Sequence, residues 1–475
     1  MKRVSRAMAA IAAFLGINVA FSFYAPLKFN PFNYPYKGWS WWGFHDLKED
    51  KQVHNVTLLG SSLMVAAINN CDANYLNRPL NLTKHHQSLY LNDKLEETFK
   101  GKFRTFNLSA PGQMPSDAYL TVKSLLAASH RPDVIIYGVA PRDFIDSQLG
   151  NPTDTEPFHF LSRIVSTDEC AGGLFRDPLG RLSWFIDRNL YFAHHALDWQ
   201  MTAEKAATRL LNKVAAVPSG AQPYTFWQRT KLIPNYRAGE IHPDAVYTHP
   251  LKKEDVAANF KDNTEEYKER YKKADDHTFK TQMYFLGKLG TLCKKERIEL
   301  IVVNMPVSRE NINQLGATTY LDYVFAVKGK AFAYGAPFFD LNYFYLYDKS
   351  LYHDYVHLNA FGGAKFLDSL VSALNEDPRT KLTMEMAGRE LWKHDELERL
   401  ARGIDRDRDP SSFTSLEKLK GKLAEHKLIE ANDLVREHRS KIRNVVNELR
   451  NKKQIGSRID TIEKAEPDDE TGVAM

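Results

Sequence analysis

Five short apolar runs punctuate this chain: Val56 to Leu59, Phe103 to Asn107, Val134 to Tyr137, Leu300 to Val303 and Phe338 to Leu341. The stretches between them are helix-forming, and alternation of this kind argues for βαβ units closing a parallel sheet. Arg131-Pro132-Asp133 introduces the third run, and the Leu- and Lys-rich Phe279 to Lys295 precedes the fourth. A chain with 43% hydrophobic and 12% aromatic residues has ample material for such a core.

The expected fold is therefore α/β, a flavodoxin-like three-layer sandwich around a mainly parallel five-stranded sheet, assembled from residues 50–150 and 285–375. At 475 residues the chain exceeds what one core of roughly 300 residues absorbs, so additions are expected. Residues 151–284 form one, because a βα connection needs about two to six residues beyond its helix. This helical insertion holds Trp184, Tyr191, Phe192, His194, His195 and Trp199, then the charged run Glu254 to Asp276; it reads either as a lid or wall over a site or as a packed appendage. Residues 376–475 form a charged tail. Within it, Leu416, Leu419, Leu423, Val435, Ile442, Val446 and Leu449 recur at helical or heptad spacing, a pattern suited to self-association, and the acidic Lys464 to Met475 reads as disordered.

The N-terminus carries a different signal. Residues 7–27 are almost wholly apolar and follow Lys2, Arg3 and Arg6. As a helix they would reach roughly 30 Å, the hydrocarbon thickness of a bilayer, and the basic residues place the short end in the cytoplasm. We expect a single-pass anchor in the cytoplasmic (inner) membrane with the remainder extracytoplasmic; a cleaved signal peptide shares the pattern, but no small-x-small site follows the run. Residues 28–49, with Phe29, Phe32, Tyr34, Tyr36, Trp39, Trp41 and Trp42, read as an aromatic interfacial linker at headgroup level.

Other classes fall away. The net charge of +5 is dispersed, with no basic block or nucleic-acid motif, so no nucleic-acid partner is expected. Cys71, Cys170 and Cys293 lack paired spacing; a Cys71–Cys170 bridge and buried free thiols are the two readings.

Two segments carry chemistry. The first strand runs into Gly60-Ser61-Ser62-Leu63 and then a helix-forming run, so Ser62 sits at a strand-to-helix turn where amide groups and the helix dipole favour an oxyanion. Gly-Ser-Ser also makes an ordinary helix cap. Near the end of the α/β region stands Asp354-Tyr355-Val356-His357-Leu358-Asn359, its carboxylate and imidazole three positions apart before a helix that Asn359 would cap. A serine nucleophile needs this pair, because a neutral His takes its proton while a carboxylate fixes the tautomer. His353 and His357 also suit two metal ligands, but there is no Glu beside the first His and no third ligand nearby; neither a metal nor another cofactor is expected.

These residues resemble the SGNH (GDSL-like) hydrolases. Ser62 in Gly-x-Ser-Leu, Gly112 in Asn107-Leu108-Ser109-Ala110-Pro111-Gly112, and Asp354-x-x-His357 look like blocks I, II and V of that family, in its order. The resemblance implies Ser62 as nucleophile, His357 as general base, Asp354 as its orienter, and the Ser62 and Gly112 amides as oxyanion donors. Ser61 stands where the family has Asp. The third block reads Gly138-Val139-Ala140-Pro141-Arg142-Asp143 in place of Gly-x-Asn-Asp, so the usual Asn donor is absent. Arg142 is then a charged substitute or an anion holder, unless it simply pairs with Asp143 or neighbours, and Asn304 is either another donor or a turn residue. Within the superfamily the anchor, the Gly-Ser-Ser block and Asn304-Met305-Pro306-Val307-Ser308 are similar to membrane-anchored bacterial proteins of the teichoic-acid D-alanylation or alginate O-acetylation type. Such relatives work on cell-surface polymers, often beside a membrane-bound O-acyltransferase. The resemblance thus implies an extracytoplasmic serine esterase or O-acyltransferase whose partners are a surface glycan or acyl donor; the alternative is a non-catalytic scaffold or glycan-binding partner on the same fold.

Overall fold

The computed structural model describes residues 5–24, 30–33, 37–149, 151–174, 178–196, 246–272, 276–343 and 346–406, with isolated residues between 199 and 241. The chain divides into two units, Met1–Asp395 and Glu396–Met475. The heptad-like run and the acidic end of the tail lie outside the described residues.

Five strands form one sheet: β1 (Val56–Gly60), β2 (Thr105–Asn107), β3 (Val134–Val139), β4 (Glu299–Asn304) and β5 (Phe338–Asp340). Their order is β2-β1-β3-β4-β5 and every pairing is parallel. Val56 stands opposite both Thr105 and Val134, which seats β1 in the interior of the sheet. Every residue of β1 and β3 is buried, which only near-continuous apolar runs permit.

Helices pack in two groups. The first joins α3 (Ser62–Tyr75), α4 (Leu89–Phe99) and α8 (Ala360–Glu376); the second joins α5 (Pro115–Ala127), α6 (Asp276–Glu296) and α7 (Ala317–Ala333). Leu63, Ile68, Phe285, Leu289, Phe366 and Leu370, drawn from both groups, are each at most 2% exposed and belong to one continuous core with the strands.

Two sequence expectations change here, and one open alternative is decided. The aromatic stretch before β1 is not a headgroup-level collar at its C-terminal part: α2 (Trp39–Glu49) buries Trp41, Trp42 and Phe44 in the main core. Trp41 and Trp42 pack edge to face, and their indole N–H groups donate to the carbonyls of Phe32 and Ile241, both at 3.2 Å. Large rings with a satisfied polar edge are as stable in a core as at an interface. Secondly, α9 (Pro378–Arg406) begins inside the α/β unit, so the boundary at 376 divides residues that pack together. Asn55 donates to the carbonyls of Lys102 and Ala387, and the Lys102 amide donates to Gly388 at 3.0 Å. Of the two cysteine readings the structure has the buried free thiols: Cys71, Cys170 and Cys293 are each free and buried, and Cys71 and Cys170 form no bridge.

The described part of the insertion is largely helical. Glu156–Leu161 packs against α2 and α5, Pro178–Asn189 against Tyr191–His194, and Thr264–Tyr271 against the helices Arg142–Ile145 and Arg309–Leu315. Leu80–Asn81 and Tyr247–Thr248 make a small antiparallel ladder. At the N-terminus α1 (Arg6–Tyr24) is long and apolar enough to cross a membrane, and Asn18 is its only buried residue.

Candidate active site

Gly60 ends β1 and Ser61, with extended backbone, caps α3, so Ser62 is the first residue of that helix. Its amide and that of Gly112 find no acceptor among the described residues, as expected for the open first turn of a helix and for a tight loop. Ser62 is half-buried.

The loop carrying Asp354 and His357 is tied down on both flanks. Tyr352 bridges Leu358, the His353 amide donates to the His357 carbonyl at 2.7 Å, and Asn359 caps α8 by accepting from Phe361 and Gly362. The Asn359 amide also donates to the carbonyls of Ser350 and Tyr352, so one side chain closes the loop onto its helix. Asp354 Oδ1 accepts from the amides of Val356 at 2.8 Å and His357 at 2.7 Å, which aims Oδ2 at His357 Nδ1, 2.8 Å away. His357 Nε2 lies 2.7 Å from Ser62 Oγ. Both imidazole nitrogens are therefore engaged, and His357 is not free to join His353 around a metal.

What sets the Ser62–His357 distance is the contact between the helices that follow them. A Cβ on Gly363 of α8 would come within 2.3 Å of the Ala67 carbonyl of α3, so only glycine lets the backbones meet. The Asn70 side chain adds a bond to the Leu358 carbonyl at 3.0 Å.

Burial acts to raise the carboxyl of Asp354, but its hydrogen bonds and the charge of His357 together outweigh that and hold it below the usual carboxylate range. It is thus an anion at neutral pH, and an anion facing Nδ1 keeps the proton there and leaves Nε2 free to accept from Ser62.

Gly112 sits on the loop after β2 with φ of 82°, a left-handed conformation that favours glycine. The Gly60 amide donates to Gln113 Oε1 at 2.7 Å and the Ala110 amide donates to the Gly60 carbonyl at 3.0 Å, which staples this loop to the turn that carries Ser62. Arg142 is 8% exposed, and its guanidinium lies beside Gly112: a Cβ there would be 3.6 Å from Nη2. Arg142 pairs with Asp146 rather than primarily with Asp143. Its Nε donates to Asp146 Oδ2 at 2.9 Å, the same oxygen takes Arg270 Nη1 at 2.6 Å, and Asp143 Oδ1 is 3.8 Å from Nη1. Asp146 is thereby shared between two cations, while Nη1 makes no hydrogen bond among the described residues. Asp143 instead accepts from the Ala140 amide at 2.9 Å and shapes the turn; burial pushes its carboxyl up to about 6.

Asn304, expected as a donor or a turn residue, is neither open nor in a turn. It ends β4, is fully buried, and spends both amide hydrogens on Tyr320 and Asp340 at 2.9 and 2.8 Å, while Oδ1 accepts from Tyr323. No donor remains for a ligand. Conversely, Gln113, Asp146, Arg270 and Gly363 were not singled out as site residues. Gln113 follows Gly112 directly, the one local cue among them.

The charged part of the insertion borders this region. The Lys261 amide donates to the His353 carbonyl at 2.8 Å, the Tyr355 amide donates to Asn263 Oδ1 at 3.2 Å, and Phe260 packs edge-on to Tyr355. A scan against protein-family models and a search of curated proteins each found no match to this chain.

Proposed function

We propose that this chain is an extracytoplasmic serine esterase or O-acyltransferase that handles acyl groups of a cell-surface polymer through an acyl-Ser62 intermediate. The observation that carries the reading is the continuous chain from Ser62 Oγ to His357 Nε2 at 2.7 Å and from His357 Nδ1 to Asp354 at 2.8 Å. In this mechanism His357 takes the Ser62 proton as Oγ attacks the ester carbonyl, and Asp354 stabilises the imidazolium. The tetrahedral oxyanion is met by the amides of Ser62 and Gly112, with Arg142 in the role of the absent Asn. The imidazolium returns its proton to the departing alkoxide. Water, or a glycan hydroxyl, then gives its proton to His357 and attacks the acyl-serine; the proton goes back to Ser62 Oγ as the acyl group leaves.

The strand order matches the doubly wound 2-1-3-4-5 arrangement, and the two helix groups suit a flavodoxin-like three-layer sandwich of SGNH type. Ligands of such sheets bind outside the carboxyl ends of the strands, where Gly60 and Ser62 stand. The contacts of residues 260–263 with the base-bearing loop support the insertion as a wall of the site. The apolar α1 behind Lys2 and Arg3 supports a single-pass membrane location and a partner in the same membrane, for which an O-acyltransferase is the fitting class.

Fluorophosphonate labelling of the full chain tests the reading, with Ser62→Ala as control. Labelling of the wild-type protein lost in the variant supports it. Labelling indifferent to the substitution, or none in a folded wild type, favours the non-catalytic scaffold.

A further inference from the structure

Residues 178–195 of the insertion expose what a water-soluble appendage buries. In the helix Pro178–Asn189, Leu179, Leu182, Phe185 and Ile186 are 76, 53, 58 and 39% exposed and share one face at helical spacing, with Arg181 beside them. On the inward side Trp184 packs against the core. The apolar arc thus points away from the protein, opposite to the usual arrangement of a surface helix.

This segment continues into α1. Phe21 packs on both Tyr191 and Phe192, with ring centroids 5.8 and 5.1 Å apart, and Phe14 stacks on Phe192 at 6.4 Å. Asn18, the one strongly polar side chain of α1 beyond its first turn apart from Ser22, is 2% exposed there: its Nδ2 donates to the Phe14 carbonyl and its Oδ1 accepts from the Phe192 amide at 3.0 Å. The other sides of α1 present Met8, Ile11, Ile17, Val19 and Phe23 to the surroundings.

Position along the helix then fixes depth. Asn18 lies six residues before Tyr24, about 9 Å at the helical rise of ~1.5 Å per residue. If α1 crosses a bilayer, Phe192 meets it below the outer end of the hydrocarbon, where an amide N–H needs a partner within the protein. Asn18 supplies that partner. We propose that residues 178–195 are a second membrane contact, seated in the extracytoplasmic leaflet beside α1 with the Leu179, Leu182, Phe185 and Ile186 face against lipid. The proposal rests on α1 spanning the membrane. It gives the catalytic unit two points of attachment, so that the unit is held in one orientation to the surface rather than tethered at one end.

The test uses the full chain reconstituted in phosphatidylethanolamine and phosphatidylglycerol vesicles whose acyl chains are brominated. An environment-sensitive nitrobenzoxadiazole label is attached to Leu182→Cys, Phe185→Cys, Ile11→Cys or Lys252→Cys in turn. The native cysteines are buried, and the labelled wild type sets the background. We expect loss of most of the emission at positions 182, 185 and 11, and none at 252. Quenching at 11 with emission unaltered at 182 and 185 overturns the proposal and leaves the anchor standing. Emission unaltered at 11 as well overturns the anchor itself, and this inference with it.

Discussion

Exchanging Asp354 for Asn removes one charge without removing the group, and the structure says how the new amide must sit. Oδ1 accepts from two backbone amides, Val356 at 2.8 Å and His357 at 2.7 Å, so the carbonyl oxygen of the substituted side chain stays on that side. Turning the amide over would lose both bonds, each worth about 1 kcal/mol, and would hold the NH2 group against two donors. A penalty of about 2 kcal/mol keeps the unfavourable orientation below one part in about thirty. In the favoured orientation an N–H faces His357 Nδ1, which must then accept; the ring proton moves to Nε2 and points at Ser62. A base in that tautomer cannot take the serine proton. The loss in fluorophosphonate labelling rate is therefore at least about thirtyfold, and it reaches about ten-thousandfold, some 5 kcal/mol of barrier, if the turned-over form is also inactive, as in other Ser-His-Asp sites. Thermal unfolding should move little, because both backbone bonds persist. Labelling within about tenfold of wild type in a folded Asp354→Asn protein would refute the tautomer argument.

Three further outcomes follow from close packing and burial. Gly363→Ala should destabilise the protein by about 3 kcal/mol and slow labelling of Ser62, because the new methyl meets the Ala67 carbonyl at 2.3 Å and pushes α8 off α3. Gly329→Ala on α7, with nothing within 4 Å, should be stabilising by about 0.5 kcal/mol, and equal denaturation midpoints for the two variants would contradict the close-contact reading. Asp117, fully buried, is pushed by burial from 3.8 up to about 7, despite bonds from Thr155 and the Met114 amide. Its folded form binds the proton more tightly than its unfolded form, so stability falls as pH rises through that window, by on the order of 4 kcal/mol at ~1.4 kcal/mol per unit. Asp117→Asn, which can donate to Thr155 Oγ1, should remove that slope; a variant-minus-wild-type stability difference that is flat in urea titrations between pH 4.5 and pH 7.5, bounds of roughly this window, would show that Asp117 does not titrate with folding.

Ser62, Asp354 and His357 were legible because each rests on a local pattern: an apolar run breaking at Gly-Ser-Ser, and a carboxylate three residues before an imidazole and a cap. The structure keeps those patterns, from Ser61 capping α3 to Asn359 capping α8. Arg142 was legible only as an anomaly. That its guanidinium lies beside Gly112 depends on Asp146 and Arg270, and Arg270 comes from the far end of the insertion. Asn304 shows the converse: a polar residue after an apolar run looked like a donor, yet Tyr320, Tyr323 and Asp340 consume it.

By itself, then, the sequence determined the strands, their helices, the apolar N-terminal segment and the two caps that present a serine and a histidine, because periodicity and capping act over a few neighbouring residues. Only the tertiary structure decided that Trp41 and Trp42 are core, that residues 378–395 belong to the α/β unit, and that the serine and the histidine meet at 2.7 Å. That distance depends on a glycine of α8 lying against a carbonyl of α3, nearly three hundred positions away in the chain. No short-range pattern encodes such a contact, since it arises from two helices competing for the same space over one sheet.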